Sequence, residues 1–406
     1  MDQFTFQVAA PPIEMLDLAR YVSDRRIARI DHSPAAINIG WDDGSTSQFS
    51  AAWLRDNCAC RQCRHPITME RLFSMLDHPG AIRIDDAAVA EQTLLSVMFD
   101  RGGASQHNSH YPSDWLWHHR CGSPPAPTDT TVQTLWTAAG LPQVPTFDFA
   151  AIMSDDQALD TWLHCVAELG VSLVVGMPIE RGTVQRLAER VGQVRATNFG
   201  MMFEVESKPN PNNAAYTALG LDLHTDIPNV PSPPGVQLLH CIVNEAQGGG
   251  SILVDGFRVA EELRVESEGD YRLLADNPIT FRFHDAEVDL AHRAPVLLLD
   301  GAGRVAEVRF NNWIRAALDV PVEIVEAYYG ALMHYWRLLR EPRFQLRFRL
   351  AAGQAMVFDN QRILHGREEF DPQTGARLLQ GCYFDYETLR SRRRVIARGR
   401  SAPVPA

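Results

Sequence analysis

His224-Thr225-Asp226 is the first place where residue type and spacing could do chemistry. In an extended strand, positions i and i+2 point to one side, so the imidazole and carboxylate would converge on one point. A chain with 14 histidines and 50 acidic residues produces an H-x-D readily by chance, so the pattern needs a partner. A third ligand from a distant strand would complete a two-histidine, one-carboxylate face with three adjacent metal positions open. That geometry suits non-haem Fe(II) and its O₂ chemistry. His365 is the candidate, in Arg362-Ile363-Leu364-His365-Gly366-Arg367, just after the strand-like Ala355–Phe358 and the turn residues Asp359-Asn360. Further on, Arg377 opens Arg377-Leu378-Leu379-Gln380-Gly381-Cys382-Tyr383. An oxygenase that uses an oxo-acid co-substrate needs a buried cation for the far carboxylate, and a guanidinium supplies a bidentate fork. By period two, Arg377, Leu379, Gly381 and Tyr383 share a face, so if Arg377 points inward Tyr383 does too.

A second group is Cys58-x-Cys60-x-x-Cys63; the other cysteines, Cys121, Cys165, Cys241 and Cys382, are scattered. Three close thiolates in a reducing compartment read as metal ligands before disulfides, and tetrahedral closure requires one further ligand from elsewhere. Lys208 is the sole lysine, and no G-x-x-x-x-G-K phosphate loop exists. A Schiff-base mechanism would rest on Lys208, in a polar stretch that does not desolvate it. The net charge of −12 disfavours nucleic acid and anionic membrane as partners. No apolar run reaches membrane-spanning length, and the amino terminus lacks a basic-then-apolar leader, so a cytoplasmic protein is expected.

The elements that must position these residues are mostly short strands. Ile37, Ile39 and Trp41 alternate before an Asp42-Asp43-Gly44 turn, and a return run is expected to end at Ala52-Trp53-Leu54. A similar hairpin is expected from Leu94–Phe99 through 100–103 to Trp115-Leu116. Residues 1–120 therefore read as a small β-rich domain carrying the cysteines, and the proline-rich 121–145 as a surface linker. From 146 to 390, helical spacing at Asp155–Leu169, Gly182–Val191, Arg258–Glu266 and Val322–Leu339 frames many strand-like pieces. These include Val171–Val175, Val236–Leu239, Ser251–Val254, Ile279–Phe283, Val305–Phe310 and Phe344–Leu350. The expected class is mainly β, a jelly roll with flanking helices. Residues 391–406 read as a basic, solvated tail. Gly301-Ala302-Gly303-Arg304-Val305-Ala306 matches G-x-G-x-x-A, but a strand-like run follows it, so it reads as a hairpin turn rather than a dinucleotide site.

Together, H-x-D, the late H-G-R and the Arg beyond it resemble the Fe(II)- and 2-oxoglutarate-dependent dioxygenases of the taurine dioxygenase superfamily. The likeness is closer still to the γ-butyrobetaine dioxygenase family. Its marks are Trp53-Leu54-Arg55-Asp56-Asn57-Cys58-Ala59-Cys60, Asn213-Ala214-Ala215-Tyr216-Thr217, Pro233-Pro234-Gly235-Val236-Gln237-Leu238-Leu239-His240-Cys241, Val254-Asp255-Gly256-Phe257 and Gln380-Gly381-Cys382-Tyr383. The resemblance spans about residues 27 to 390. It implies a double-stranded β-helix (cupin-like) domain, Fe(II) at His224, Asp226 and His365, and 2-oxoglutarate on Arg377, with Asn213 a further candidate for the co-substrate. It also implies a structural zinc on Cys58, Cys60, Cys63 and His107, with His110 and His65 as local rivals for the fourth place. A quaternary ammonium donates no hydrogen bond and is best held by aromatic faces; the family's positions for that cage fall on Phe199, Phe203, Tyr216 and Tyr383. Asn312 falls at the position for the substrate's anionic end, and Arg315 nearby could serve a larger phosphonate instead or simply lie on the surface.

The implied reaction is hydroxylation of a trimethylammonium substrate, γ-butyrobetaine to L-carnitine, with succinate and CO₂ released and O₂ consumed. Sister reactions on 2-trimethylaminoethylphosphonate or trimethyllysine differ at the anion end. A zinc-anchored binding protein that has lost catalysis would lack a ligand or Arg377, and neither is lacking. The resemblance further carries expectations of a homodimer and of stimulation by ascorbate.

Overall fold

The computed structural model describes residues 23–401 except 69, 78–79, 102–103, 123–130 and 207–215. Lys208 and Asn213 therefore lie outside the described residues. Two compact units are present, with the boundary at Thr130–Thr131 and the second unit running to Ala397.

In the first unit, Ile27–His32, Ala36–Trp41 and Thr46–Ser50 form one antiparallel sheet, and Arg83–Ala90, Leu94–Arg101 and Ala104–Pro112 form another. Alternation places Ile37, Ile39 and Phe49 in one core with Leu95, Val97, Phe99 and Tyr111. The strands stop earlier than expected. Ala51–Asp56 is a helix because the Ser50 hydroxyl accepts the Trp53 N–H at 3.2 Å and caps it. Trp115 and Leu116 likewise sit in the helix Ser113–His118, which follows Pro112.

The second unit is built on two sheets, whose strands we label β1 (Thr146–Asp148), β2 (Val171–Val175), β3 (Phe203–Val205), β4 (Leu221–His224), β5 (Val236–Asn244), β6 (Ser251–Asp255), β7 (Gln345–Phe348), β8 (Ala355–Asp359), β9 (Ile363–Arg367) and β10 (Arg377–Phe384). The larger sheet has the order β1-β2-β8-β5-β10-β3 and the smaller β4-β9-β6-β7. From β5 onward the chain winds between the two: β5 lies in the larger sheet, β6 and β7 in the smaller, then β8, β9 and β10 alternate. That winding is the double-stranded β-helix, and every pairing is antiparallel except β1 with β2.

Period-two alternation decides which side chains face which layer. Val236, Leu238, Val357, Cys382 and Phe384 pack outward against the helices Asp156–Leu169 and Thr183–Val191. Leu239, Met356, Phe358 and Leu379 point inward and meet Leu253, Leu346 and Ile363 of the smaller sheet. The outer face of the smaller sheet, Val254 and Leu364, is covered by the helices Gly256–Glu266, Glu268–Asp276 and Val325–Leu339. Gly301–Gly303 forms the turn of the Leu297–Leu299/Val305–Val308 hairpin, with no helix after it.

Two boundary expectations differ from what is observed. Residues 131–145 belong to the second unit rather than to a separate linker, though most of them lie on its surface as expected. Trp136 is the reason: its large ring is buried, its indole N–H donates to the Leu169 carbonyl at 2.8 Å, and its backbone N–H donates to Asp255 at 3.0 Å. Residues 391–397 continue the helix Tyr386–Ser401, with Ile396 buried seven residues after Leu389 on the same helical face. The rest of the expected tail, 402–406, lies outside the described residues.

Candidate active site

A cavity of about 370 Å³ opens between the two sheets of the second unit. His224 at the end of β4 and His365 in β9 stand directly opposite each other, because those residues are paired across the antiparallel ladder. Asp226 does not sit in the strand, which stops at His224; it follows a break in the ladder and still converges. Its Oδ1 is 3.3 Å from His224 Nε2 and 3.8 Å from His365 Nε2, and the three donor atoms lie within 4.8 Å of one another.

Neighbouring groups orient two of the three donors, His224 and Asp226. His224 Nδ1 lies 2.8 Å from the Asp222 carbonyl. A carbonyl only accepts, so Nδ1 carries the proton and Nε2 turns its lone pair to the cluster. The Asp222 carboxylate is held in turn by the Trp336 indole N–H at 2.7 Å and by Arg340. On Asp226, the Tyr383 hydroxyl donates to Oδ2 at 2.7 Å, leaving Oδ1 for the cluster. Burial alone would raise the Asp226 carboxyl, but the two imidazoles and this hydroxyl hold it well below the usual carboxylate range. Burial, with His224 adding to it, lowers His365 to about 3, so it is a neutral donor at physiological pH.

Arg377, at the start of β10, lines the same cavity. Its Nε and Nη1 are buried and have no hydrogen-bond partner among the described residues. Burial lowers it to about 10, which leaves it cationic at neutral pH. Two buried N–H groups left unpaired on a cation that otherwise faces the Phe370 ring are costly unless an anion completes them, which is the fit expected of a site for a dicarboxylic oxo acid.

These residues occupy a chain that matches the Taurine catabolism dioxygenase TauD, TfdA family over residues 128–383. The chain belongs to the TauD, TfdA dioxygenase family. Residues 28–117 match the gamma-butyrobetaine hydroxylase-like N-terminal family. Among curated relatives, a gamma-butyrobetaine dioxygenase of Pseudomonas sp. (strain AK-1) is 40% identical over 367 residues, covering 90% of this chain and 94% of that one. The human gamma-butyrobetaine dioxygenase is 32% identical over 377 residues, 89% and 94% of the two chains. A mitochondrial trimethyllysine dioxygenase of Bos taurus is 30% identical over 359 residues, 86% and 83%. This TauD, TfdA dioxygenase is thus an Fe(II)- and 2-oxoglutarate-dependent oxidoreductase.

All four aromatic residues expected for the cage line the cavity of the dioxygenase. Phe203 stacks on Tyr383 with ring centroids 5.1 Å apart, and this closeness depends on Gly381: a Cβ there would fall 2.5 Å from the Phe203 ring. Phe199 meets Phe283 edge-on at 5.6 Å. Phe283 and Trp313, which also line the cavity, were not expected; they enter through the hairpin Ile279–His284/Asp289–Ala294 and the loop after Phe310.

Asn312 is displaced from its expected role. It is exposed, and its Oδ1 accepts from Arg315 at 3.3 Å, whereas its neighbour Asn311 is buried and lines the cavity. The physical reason is that Asn311 is pinned: its Nδ2 donates to the Thr225 carbonyl at 3.3 Å and its Oδ1 accepts the Trp313 N–H at 3.0 Å, which turns Asn312 outward. Arg315 does not line this cavity either.

In the first unit, Cys58, Cys60, Cys63 and His107 converge, with donor atoms within 4.8 Å of one another. His107 Nε2 is 3.3, 3.8 and 3.5 Å from the three sulfurs. Bonds of about 2.0 Å to nitrogen and 2.3 Å to sulfur at tetrahedral angles put such atoms about 3.5 Å apart, so the donor set fits zinc. The rivals point elsewhere. His110 is three residues along the same strand, hence on its opposite, exposed face, 2.9 Å from Ser96 Oγ; His65 Nδ1 accepts backbone N–H groups of its own turn. Arg55, also buried, donates to Cys63 Sγ at 3.0 Å and sets a positive charge beside the thiolates. Among the three thiols, hydrogen bonding from Cys58 draws Cys60 and Cys63 down, while the same hydrogen bonds push Cys58 up.

Proposed function

We propose that the enzyme hydroxylates γ-butyrobetaine to L-carnitine, converting 2-oxoglutarate and O₂ to succinate and CO₂. The observation that carries this reading is one cavity in which His224, Asp226 and His365 share walls with Arg377 and with Phe199, Phe203, Tyr216 and Tyr383. Fe(II) held by His224, Asp226 and His365, with 2-oxoglutarate bound, supplies the O₂-dependent chemistry that replaces C–H by C–OH. The chain's own residues do the rest. Arg377 neutralises the far carboxylate of 2-oxoglutarate, and the aromatic faces hold the trimethylammonium group by cation–π attraction in a site with no added hydrogen-bond donor to satisfy. Fixing the cation in the cage limits which C–H lies over the metal face, and this positioning is the protein's contribution to rate and selectivity.

The names of the relatives support a trimethylammonium substrate, and the anion end separates the candidates. Arg315, the residue suited to a phosphonate dianion, is absent from the cavity wall; Asn311 lies there, and besides Arg377 the wall's arginines are engaged, Arg282 by Asp289 and Arg367 by the Thr217 and Leu219 carbonyls. This favours a monoanionic carboxylate. Cys58, Cys60, Cys63 and His107 hold a structural zinc in the same proposal, and a cytoplasmic homodimer stimulated by ascorbate completes it. Succinate formation measured with γ-butyrobetaine, trimethyllysine and 2-trimethylaminoethylphosphonate tests the assignment. Turnover should be greatest with γ-butyrobetaine and accompanied by a product 16 mass units heavier; absent turnover of γ-butyrobetaine would refute it.

A further inference from the structure

Asp226 occupies an unusual stretch of backbone. The residue after it, Ile227, has φ = +54°, a left-handed conformation that a β-branched side chain adopts only under constraint. The constraints on either side are visible. Before Asp226, the Thr225 N–H donates to the Phe310 carbonyl at 2.8 Å, and the Thr225 hydroxyl accepts the Phe310 N–H at 3.1 Å. After Ile227, Arg309 donates to the carbonyls of Pro228, Val230 and Pro231 at 3.0, 2.7 and 2.9 Å. Between these anchors the Asp226 backbone is gripped by one side chain, Asn360.

Asn360 is fully buried in the turn between β8 and β9. Its Oδ1 accepts the Asp226 N–H at 2.7 Å, and its Nδ2 donates to the Asp226 carbonyl at 3.0 Å and to the Pro234 carbonyl at 3.2 Å. Its own backbone N–H donates to the Gly235 carbonyl at 2.8 Å, which fixes the turn that presents the side chain. A primary amide of this length offers acceptor and donor together, as a strand partner would, and so replaces the ladder that β4 loses after His224. The same turn leads directly into β9 and His365.

We infer that Asn360 is a positioning residue for the metal centre: its amide sets the direction from which Asp226 approaches the iron, and ties that direction to the strand carrying His365. The inference rests on the assignment of Asp226 and His365 as iron ligands. No other side chain can substitute simply. Aspartate keeps the acceptor but loses the donors, alanine loses both, and glutamine carries the amide one methylene too far.

The test is anaerobic Fe(II) titration of the full chain in the presence of 2-oxoglutarate, read by the metal-to-ligand charge-transfer absorbance. Wild type should develop the band; its failure to do so would overturn the iron assignment itself, separately from the role of Asn360. Asn360→Ala and Asn360→Asp should each weaken Fe(II) binding by about 10- to 100-fold, the range for groups that orient a ligand, and shift the band. Gln361→Ala is the control. Gln361 is in the same turn and donates to the Pro233 carbonyl at 3.0 Å but does not touch Asp226, so its Fe(II) affinity should stay within about twofold of wild type. Should Asn360→Ala fail to fold, Asn360→Asp, nearly equal in volume, carries the test. Wild-type Fe(II) affinity and band in a folded Asn360 variant, or an equal loss in Gln361→Ala, would overturn the inference.

Discussion

Tyr383 serves two parts of the site at once. Its ring stacks on Phe203 in the cage while its hydroxyl holds Asp226, so ring and hydroxyl are separable by mutation. Tyr383→Phe keeps the π face and should leave the substrate KM within about twofold while weakening Fe(II) binding. Tyr216→Leu does the reverse. It keeps apolar volume and removes a π face, so the substrate KM should rise about 5- to 30-fold, the equivalent of about 1–2 kcal/mol, with the 2-oxoglutarate KM unchanged. Steady-state kinetics with each substrate varied in turn separates these outcomes. Arg377→Ala should move the other constant, raising the 2-oxoglutarate KM about tenfold or more, because a charge-assisted pair is lost from a buried setting. An unchanged 2-oxoglutarate KM in that variant would place the co-substrate anchor elsewhere.

At the scale of elements, the site depends on helices that never touch it. Val325–Leu339 carries Trp336, which orients Asp222 and through it His224. That helix is clipped to its neighbours by His334, whose Nδ1 lies 2.7 Å from Asp270 and Nε2 3.0 Å from Glu266. Both ring nitrogens face carboxylates, so only the imidazolium satisfies both, and the hydrogen bond to Asp270, followed by that to Glu266, raises His334 above its ordinary value despite partial burial. A raised folded-state pKa stabilises fully below the unfolded value of about 6.5 and is lost as pH rises through the folded value. The thermal midpoint of wild type should therefore fall, relative to His334→Gln, as pH rises from about 6 into the alkaline range. The difference should correspond to less than about 1 kcal/mol, since the groups are partly solvated. Parallel midpoints for the two proteins across that range would show that the clip adds nothing.

For the whole molecule, the first unit rests on a small core gathered around Leu54, Phe99, Tyr111 and Trp115. Cys58 and Cys63 are buried beside it, at the end of the helix Ala51–Asp56. A metal that closes Cys58, Cys60, Cys63 and His107 ties that helix to the strand Ala104–Pro112, and its binding free energy adds to folding. Cys60→Ser should lower zinc content and the unfolding temperature, while the Fe(II) and 2-oxoglutarate spectrum stays as in wild type in the protein that folds. Metal analysis with calorimetry checks this; zinc content equal to wild type would refute the ligand assignment. No helix among the described residues is long and apolar enough to cross a membrane.

Much of this protein is local and therefore legible in order along the chain. Short, largely apolar runs mark β2, β5, β8 and β10, and period two within β10 correctly predicts that Arg377 and Tyr383 share the cavity side. The Cys58-x-Cys60-x-x-Cys63 spacing marks a candidate metal cluster because three thiols so close along the chain can reach one point. What the tertiary structure alone decided is set by contacts between distant segments. The convergence of Asp226 with His224 comes from a broken strand gripped by Asn360, not from regular i, i+2 geometry, and no local pattern encodes a partner 134 residues away. Asn311 rather than Asn312 faces the cavity because Thr225 holds it there, and the buried Trp136 anchors to the second unit a largely exposed segment whose prolines suggest a linker. Residue types and their periods determine which chemistry is possible. Side chains that satisfy buried backbone groups across the fold determine where each reactive atom points.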